Sequence, residues 1–107
     1  MVERKSYVNN DESIVIPGWM INQFFLRGND LLIFAIIYGH TKDGESWFAK
    51  SEKYLADWCN ASKPGIHVNL KKLVEADLLE KSFYWNGNKR MVKYRVNLNK
   101  TKSYLRG

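Results

Sequence analysis

Ser51-Glu52-Lys53-Tyr54-Leu55-Ala56-Asp57-Trp58-Cys59, Asn60-Ala61, and Ser62-Lys63-Pro64-Gly65-Ile66-His67-Val68-Asn69-Leu70-Lys71-Lys72-Leu73-Val74-Glu75-Ala76 read as two helices and the break between them. The first segment is short and amphipathic. Asn60-Ala61 interrupts it, and Ser62 opens the next helix. Pro64 is acceptable only in a first turn, where its missing N–H costs nothing. Ile66, Leu70, Leu73 and Val74 recur at helical spacing, a core-facing stripe with Leu78 just beyond. Pro64, Gly65, Val68, Lys71, Lys72 and Glu75 fall on the opposite face, with His67 and Asn69 on the flanks. Leu79 to Trp85 and Arg90 to Leu98 then alternate as strands around Asn86-Gly87-Asn88-Lys89, a strong tight-turn signal. In the return strand Val92, Tyr94, Val96 and Leu98 share one face, while Lys93, Arg95 and Asn97 share the other.

Upstream of this block, Met1 to Glu12 is polar, lacks periodicity, and is expected to be a loose arm. Ser13-Ile14-Val15-Ile16 is β-prone and stopped by Pro17-Gly18. Trp19 to Leu26 predicts a short helix ended by Gly28. Asn29 or Asp30 can cap the next helix, whose apolar run Leu31 to Tyr38 surrounds its own axis and so belongs in the centre of a core. Gly39 suits that helix's C-terminal cap. Ser46-Trp47-Phe48-Ala49 is expected to be a short strand pairing with the hairpin. From Asn99 the chain is polar and basic. The expected organisation is an arm over 1–12, one folded domain over 13–98 and a basic tail over 99–107.

A chain of 107 residues holds one core. Its 45% hydrophobic content and 15 aromatic residues argue against disorder. No apolar run approaches the roughly 18 residues of a membrane span, and the polar start Met1-Val2-Glu3-Arg4-Lys5 lacks a secretion signal's apolar segment. One cysteine, Cys59, cannot form an internal disulfide, which fits a reducing, cytoplasmic setting. Charge is segregated. Residues 1–49 carry a net −2 and residues 50–107 a net +8, with eight basic and no acidic residues after Glu80. That asymmetry points to a polyanionic partner, against the plainer reading of a solvated charged face.

Enzymatic chemistry has little support. There is no Gly-rich phosphate loop, no His-Asp pairing and no acidic cluster for two-metal nuclease work. Cys59, His40 and His67 lack ligand spacing, and Cys59 lies on the apolar side of its helix. No catalytic residue, cofactor, metal or small-molecule substrate is expected. Trp19, Trp47, Trp58 and Trp85 read as core and hairpin packing, with Tyr84 and Trp85 the aromatics to test as exposed contacts.

The run Ser62 to Leu79 resembles the recognition-helix pattern of winged helix-turn-helix domains. A serine opens the helix, a β-branched residue follows at Ile66, Leu70 and Leu73 anchor it, and Asp77-Leu78-Leu79 stands where Gly-Leu-Ile is common. With Ile14-Val15-Ile16-Pro17, Ile37-Tyr38 and Gly44 through Phe48 included, residues 13 to 98 are similar to N-terminal domains of replication-initiation and DnaD-like replisome-organiser proteins of Gram-positive phages, plasmids and transposable elements. Two departures stand out: Pro64-Gly65 replaces a small polar pair, and the further C-terminal domain common in such relatives is absent from this sequence. The fold class expected is α+β, a winged helix-turn-helix with a three-helix core, a basic C-terminal β-hairpin wing and an N-terminal extension.

The resemblance implies duplex DNA binding, sequence-specific or semi-specific, in replication initiation or transcriptional regulation. The residues expected to carry it are Ser62, Lys63, Pro64, Gly65, His67, Val68, Asn69, Lys71 and Lys72 on the helix, and Asn86, Asn88, Lys89 and Arg90 at the wing. Lysines would neutralise phosphates, which sets affinity without reading sequence. His67 and Asn69 can bond base edges, and Val68 can touch a thymine methyl. No arginine lies on this helix, so modest discrimination is expected. The alternative is an interaction or oligomerisation module, with replisome proteins or a second copy as partner and Val8, Trp19 or Tyr104 at the contact. No membrane partner is expected.

Overall fold

A helix that is apolar all round has to lie inside, and Ile33 to Tyr38 does, with Leu31 and Leu32 half-buried at its start. The computed structural model describes residues 6–101. Its elements are α1 (Trp19–Asn22), α2 (Gly28–Thr41), α3 (Glu52–Cys59), α4 (Lys63–Glu75), β1 (Leu79–Asn86), β2 (Lys89–Val96) and α5 (Leu98–Thr101). The fold is α+β: α2, α3 and α4 pack on one another, and β1 and β2 form a two-stranded antiparallel sheet. Ile33, Phe34 and Ile37 of α2 are fully buried, against Ile66, Leu70 and Leu73 of α4 and Leu55 of α3 in one core. No described helix is long and apolar enough to cross a membrane.

Local sequence explains both caps of the central pair. Ser51 and Ser62 accept hydrogen bonds from Tyr54 N–H and Gly65 N–H, the N-cap arrangement that satisfies a free helical donor. Asn60 ends α3 in the left-handed conformation, so α4 sets off directly in a new direction.

Several boundaries differ from expectation. α2 runs through Gly39 to Thr41, so Gly39 is no cap. The extra turn is held by Thr41, whose buried hydroxyl donates to Ile37 O at 2.9 Å and accepts from Val96 N at 3.1 Å. The helix starts at Gly28, with Arg27 at the cap instead of Asn29 or Asp30. α1 is a single turn, because the chain reverses at Phe25, where φ is 56°. Ser13 to Ile16 pairs with no strand among the described residues. The strand expected over Ser46 to Ala49 reduces to one antiparallel bridge, Phe48 to Tyr94, with bonds of 2.7 and 2.9 Å. The hairpin turn is Gly87-Asn88 alone, since Asn86 pairs with Lys89 and Gly87 supplies the positive φ. Leu98 belongs to α5, and Asn97 turns inward, its amide donating to Asp77 O at 3.0 Å.

The ends of the described segment are engaged. Tyr7 N–H donates to Asp57 at 2.8 Å, Glu12 accepts from the Tyr54 hydroxyl at 3.0 Å, and Val8 packs on the core. Thr101 is fully buried. The rest of the expected arm and tail, residues 1–5 and 102–107 with Tyr104, lies outside the described residues.

Asp77, where the resembling pattern has glycine, takes φ 63°. A side chain there costs about 1–2 kcal/mol, offset by about 0.5–1 kcal/mol of extra chain entropy lost when glycine is ordered. The Lys100 ammonium is 3.9 Å away and both groups are exposed, so that pair contributes little. Asp77→Gly is therefore expected to stabilise the fold by about 0.5–1 kcal/mol, read as a higher urea midpoint at unchanged slope. A lower midpoint would show that Asp77 adopts this conformation without strain.

Candidate nucleic-acid interface

The stripe of Ile66, Leu70 and Leu73 fixes which face of α4 looks outward, and strand alternation fixes which face of the hairpin does. Register pairs Lys81 with Tyr94, Phe83 with Val92 and Trp85 with Arg90 on one face of the sheet. The base of that face meets α4. Between them lies an open groove of about 360 Å³, lined by His67, Leu70, Lys71, Val74 and Glu75 of the helix and Lys81 and Tyr94 of the hairpin. Two lysines from different elements, Lys71 and Lys81, thus border one groove, with Glu75 the acidic group in its lining. Burial is the main cause that pushes the Tyr94 hydroxyl pKa up, with the Glu52 charge second, so it faces the groove as a neutral phenol.

The other face of the hairpin is occupied by the protein. Lys93 Nζ lies 4.6 Å and the Arg95 guanidinium 4.3 Å from the Trp47 ring centre, and Arg95 also pairs with Glu80 at 2.6 Å. Trp47 is presented there by a tight loop. Asp43 accepts from Ser46 and Glu45 N–H groups and from the Ser46 hydroxyl. The Ser46 hydroxyl and N–H, followed by the Glu45 N–H, lower the Asp43 pKa to about 2. The loop therefore keeps its charged anchor down to strongly acidic pH.

The expected site residues divide in three. Lys63, Pro64, Val68, Lys71, Asn86, Asn88, Lys89 and Arg90 are exposed, Val68 by 56%. Among the described residues, Lys63, Lys71, Lys81, Lys89 and Arg90 make no ion pair with a carboxylate. Ser62 and Gly65 form the N-cap of α4, and Gly65 lies close enough to Ser62 that an added Cβ would meet its Oγ at 3.3 Å. The third set, Asn69, Lys72 and His67, has partners within the protein, although Lys72 and His67 stay exposed. Asn69 donates to Asp30 at 2.6 Å, and Lys72 pairs with the other oxygen of the same carboxylate at 3.1 Å. His67 sits 3.4 Å from Glu52. Asp30 thus fastens α4 to α2, and the Asn69 amide is committed there instead of to a base edge.

Lys81 and Phe83 lie at this site although neither is among the expected residues. Period-two alternation puts both on the face of Tyr94 and Arg90, which was the available signal. Of the apolar residues proposed for a protein contact, Val8 and Trp19 are partly buried against the core. In the segment before α2, Phe25, Val15 and Ile21 are exposed instead, at 82%, 75% and 49%. Cys59 packs on the core, and burial pushes its thiol pKa up, away from the reactive thiolate. Among the described residues no three His, Cys, Asp or Glu side chains gather as metal ligands. Comparison with protein-family models and with curated proteins gives no match.

Proposed function

We propose that this chain is a winged helix-turn-helix domain that binds duplex DNA, with α4 in the major groove and the hairpin as its wing. The observation that carries the reading is the groove shared by Lys71 and Lys81, continued by unpaired Lys63 at the start of α4 and by Lys89 and Arg90 at the hairpin tip. Helix and hairpin together offer five cations that no described carboxylate neutralises. Acidic ligands of protein type would meet the same charge, but the spread over a helix face and a projecting hairpin matches a phosphate backbone tracked along a groove. Sequence discrimination on this reading is modest, because Asn69 is engaged by Asp30 and α4 has no arginine. Val68 and His67 remain as the side chains able to touch base edges. In keeping with the resemblance, the biological setting proposed is replication initiation or transcriptional regulation in a mobile element, without enzymatic activity of its own.

The test is fluorescence-anisotropy titration of a duplex of about two helical turns, random and AT-rich, at several salt concentrations. Neutralising about five phosphates gives a log–log slope of about −4.5. A flat salt response, or no binding at low salt, would remove the DNA reading. That result would favour a protein partner, for which Phe25 and Ile21 provide an exposed apolar surface.

A further inference from the structure

The face of the hairpin that meets α4 does not end at the groove. Beyond Lys81 and Tyr94 it continues to the tip as Phe83, Trp85, Val92 and Arg90. Phe83 is 47% exposed and Trp85 69% exposed. The Arg90 guanidinium lies 4.4 Å from the Phe83 ring centre, and Lys81 Nζ lies 5.5 Å from it. Packing across the hairpin accounts for the partial burial of Phe83 against Val92, but not for an indole left in water two residues further on. The outer surface of an intact duplex does not account for it either. Phosphates engage the cations and give an aromatic ring nothing to cover, since base faces are hidden in the stack.

We propose that the tip of the hairpin is a stacking platform for unpaired DNA bases, so that the domain prefers duplex containing an opened or unpaired step. The inference rests on the DNA-binding reading and adds to it the class of DNA preferred. Phe83 and Trp85 are two residues apart on one face, about 6.6 Å along the strand, with Arg90 opposite Trp85 on the facing strand, its guanidinium laid against the Phe83 ring, and Lys81 on the α4 side of Phe83. Two aromatic rings with cations beside them fit the two parts of a nucleotide, its flat base and its phosphate. Arg90 already covers one side of Phe83, so Trp85 offers the freer face and is the principal stacking group. A base that is already unpaired reaches that face without the cost of leaving the helix. The groove between α4 and β1 meanwhile holds the adjoining duplex through Lys71 and Lys81.

The experiment compares two labelled DNAs of equal length at one salt concentration: a complete duplex, and the same duplex with a central bubble of unpaired thymines. Wild-type protein is expected to bind the bubble about tenfold more tightly. Trp85→Ala removes that advantage and leaves duplex affinity unchanged, whereas Trp85→Phe, which keeps a stacking ring, retains most of it. Trp85 is exposed, so its replacement leaves the core intact, and circular dichroism checks this. Bubble-dependent quenching of tryptophan emission that is lost in Trp85→Phe supports a base on that ring. Equal affinity for the two DNAs, or a bubble preference that survives Trp85→Ala, overturns the platform while duplex binding stands. Binding to neither DNA at low salt overturns the platform and the DNA-binding reading together. Binding to the bubble alone supports the platform and overturns the duplex role of the groove.

Discussion

Replacing Lys71 and Lys81 together by alanine is expected to lower affinity for duplex DNA about 60-fold at 0.1 M monovalent salt. The figure follows from counterion release. Each phosphate neutralised contributes about 0.9 to the log–log salt slope, so two contacts contribute about 1.8, and at 0.1 M each unit of slope is a factor of ten. The slope itself should flatten from about −4.5 to about −2.7. Random and AT-rich duplexes should suffer alike, because phosphate contacts position the protein without reading bases. Both lysines are exposed and border the groove between α4 and β1, so the loss is one of charge, not of folding. Lys72→Ala is the informative contrast. Its ammonium is held 3.1 Å from Asp30 on α2, and so its replacement should cost less DNA affinity than Lys71→Ala. Equal effects of these two single changes would mean that Lys72 leaves Asp30 on binding. An unchanged affinity in the Lys71, Lys81 double variant would place DNA elsewhere on the molecule.

That contrast marks the boundary between what the chain discloses locally and what it does not. Ile66, Leu70 and Leu73 announce the inner face of α4 by spacing alone, and Ser51 and Ser62 announce the helix starts, because capping is satisfied within three residues. Asn86-Gly87 announces the hairpin for the same reason. The partners of Asn69 and Lys72 are different in kind. Asp30 lies 39 residues from Asn69 in sequence, and only the packing of α4 on α2 brings them together. A helical wheel therefore assigns Asn69 and Lys72 to an outer face that the neighbouring helix has partly claimed. Alternation also gives Lys93 and Arg95 one basic strand face. That face is real, but Trp47, delivered by the loop after α2, lies against it. Period-two alternation does place Phe83 and Trp85 together. What it cannot supply is how far the hairpin projects past α4, and that distance decides that Tyr94 is buried while Trp85 is not. Gly39 shows the opposite failure, a local signal overruled: the bonds of Thr41 to Ile37 and Val96 hold one more turn of helix than a glycine there leads one to expect.

Phe34→Ala is expected to remove about 3–5 kcal/mol of stability, a large share of the roughly 5–15 kcal/mol that holds a domain of this size together. Phe34 is fully buried on α2 and is the point at which the segment before α2 joins the core. Phe24 meets it edge-to-face with centroids 5.9 Å apart, and Trp19 does the same at 6.3 Å while also lying 5.3 Å from Tyr38. Each such contact adds about 0.5–1.5 kcal/mol beyond the area it buries, so the truncation removes ring contacts as well as opening a cavity. Phe34→Leu separates the two contributions. It keeps most of the volume and loses the ring geometry, and about 1–2 kcal/mol is the expected cost. Urea unfolding followed by circular dichroism gives both values, and tryptophan emission, to which Trp19 contributes, gives a second probe. If the segment of Trp19 and Phe24 belongs to the cooperative core, the two probes move together in every variant. A cost below about 1 kcal/mol for Phe34→Ala, or an emission change that precedes the loss of helix, would show instead that this segment docks on an independently stable α2, α3 and α4. DNA affinity of the folded protein should be the same in either case, because no residue of the aromatic cluster lines the groove between α4 and β1.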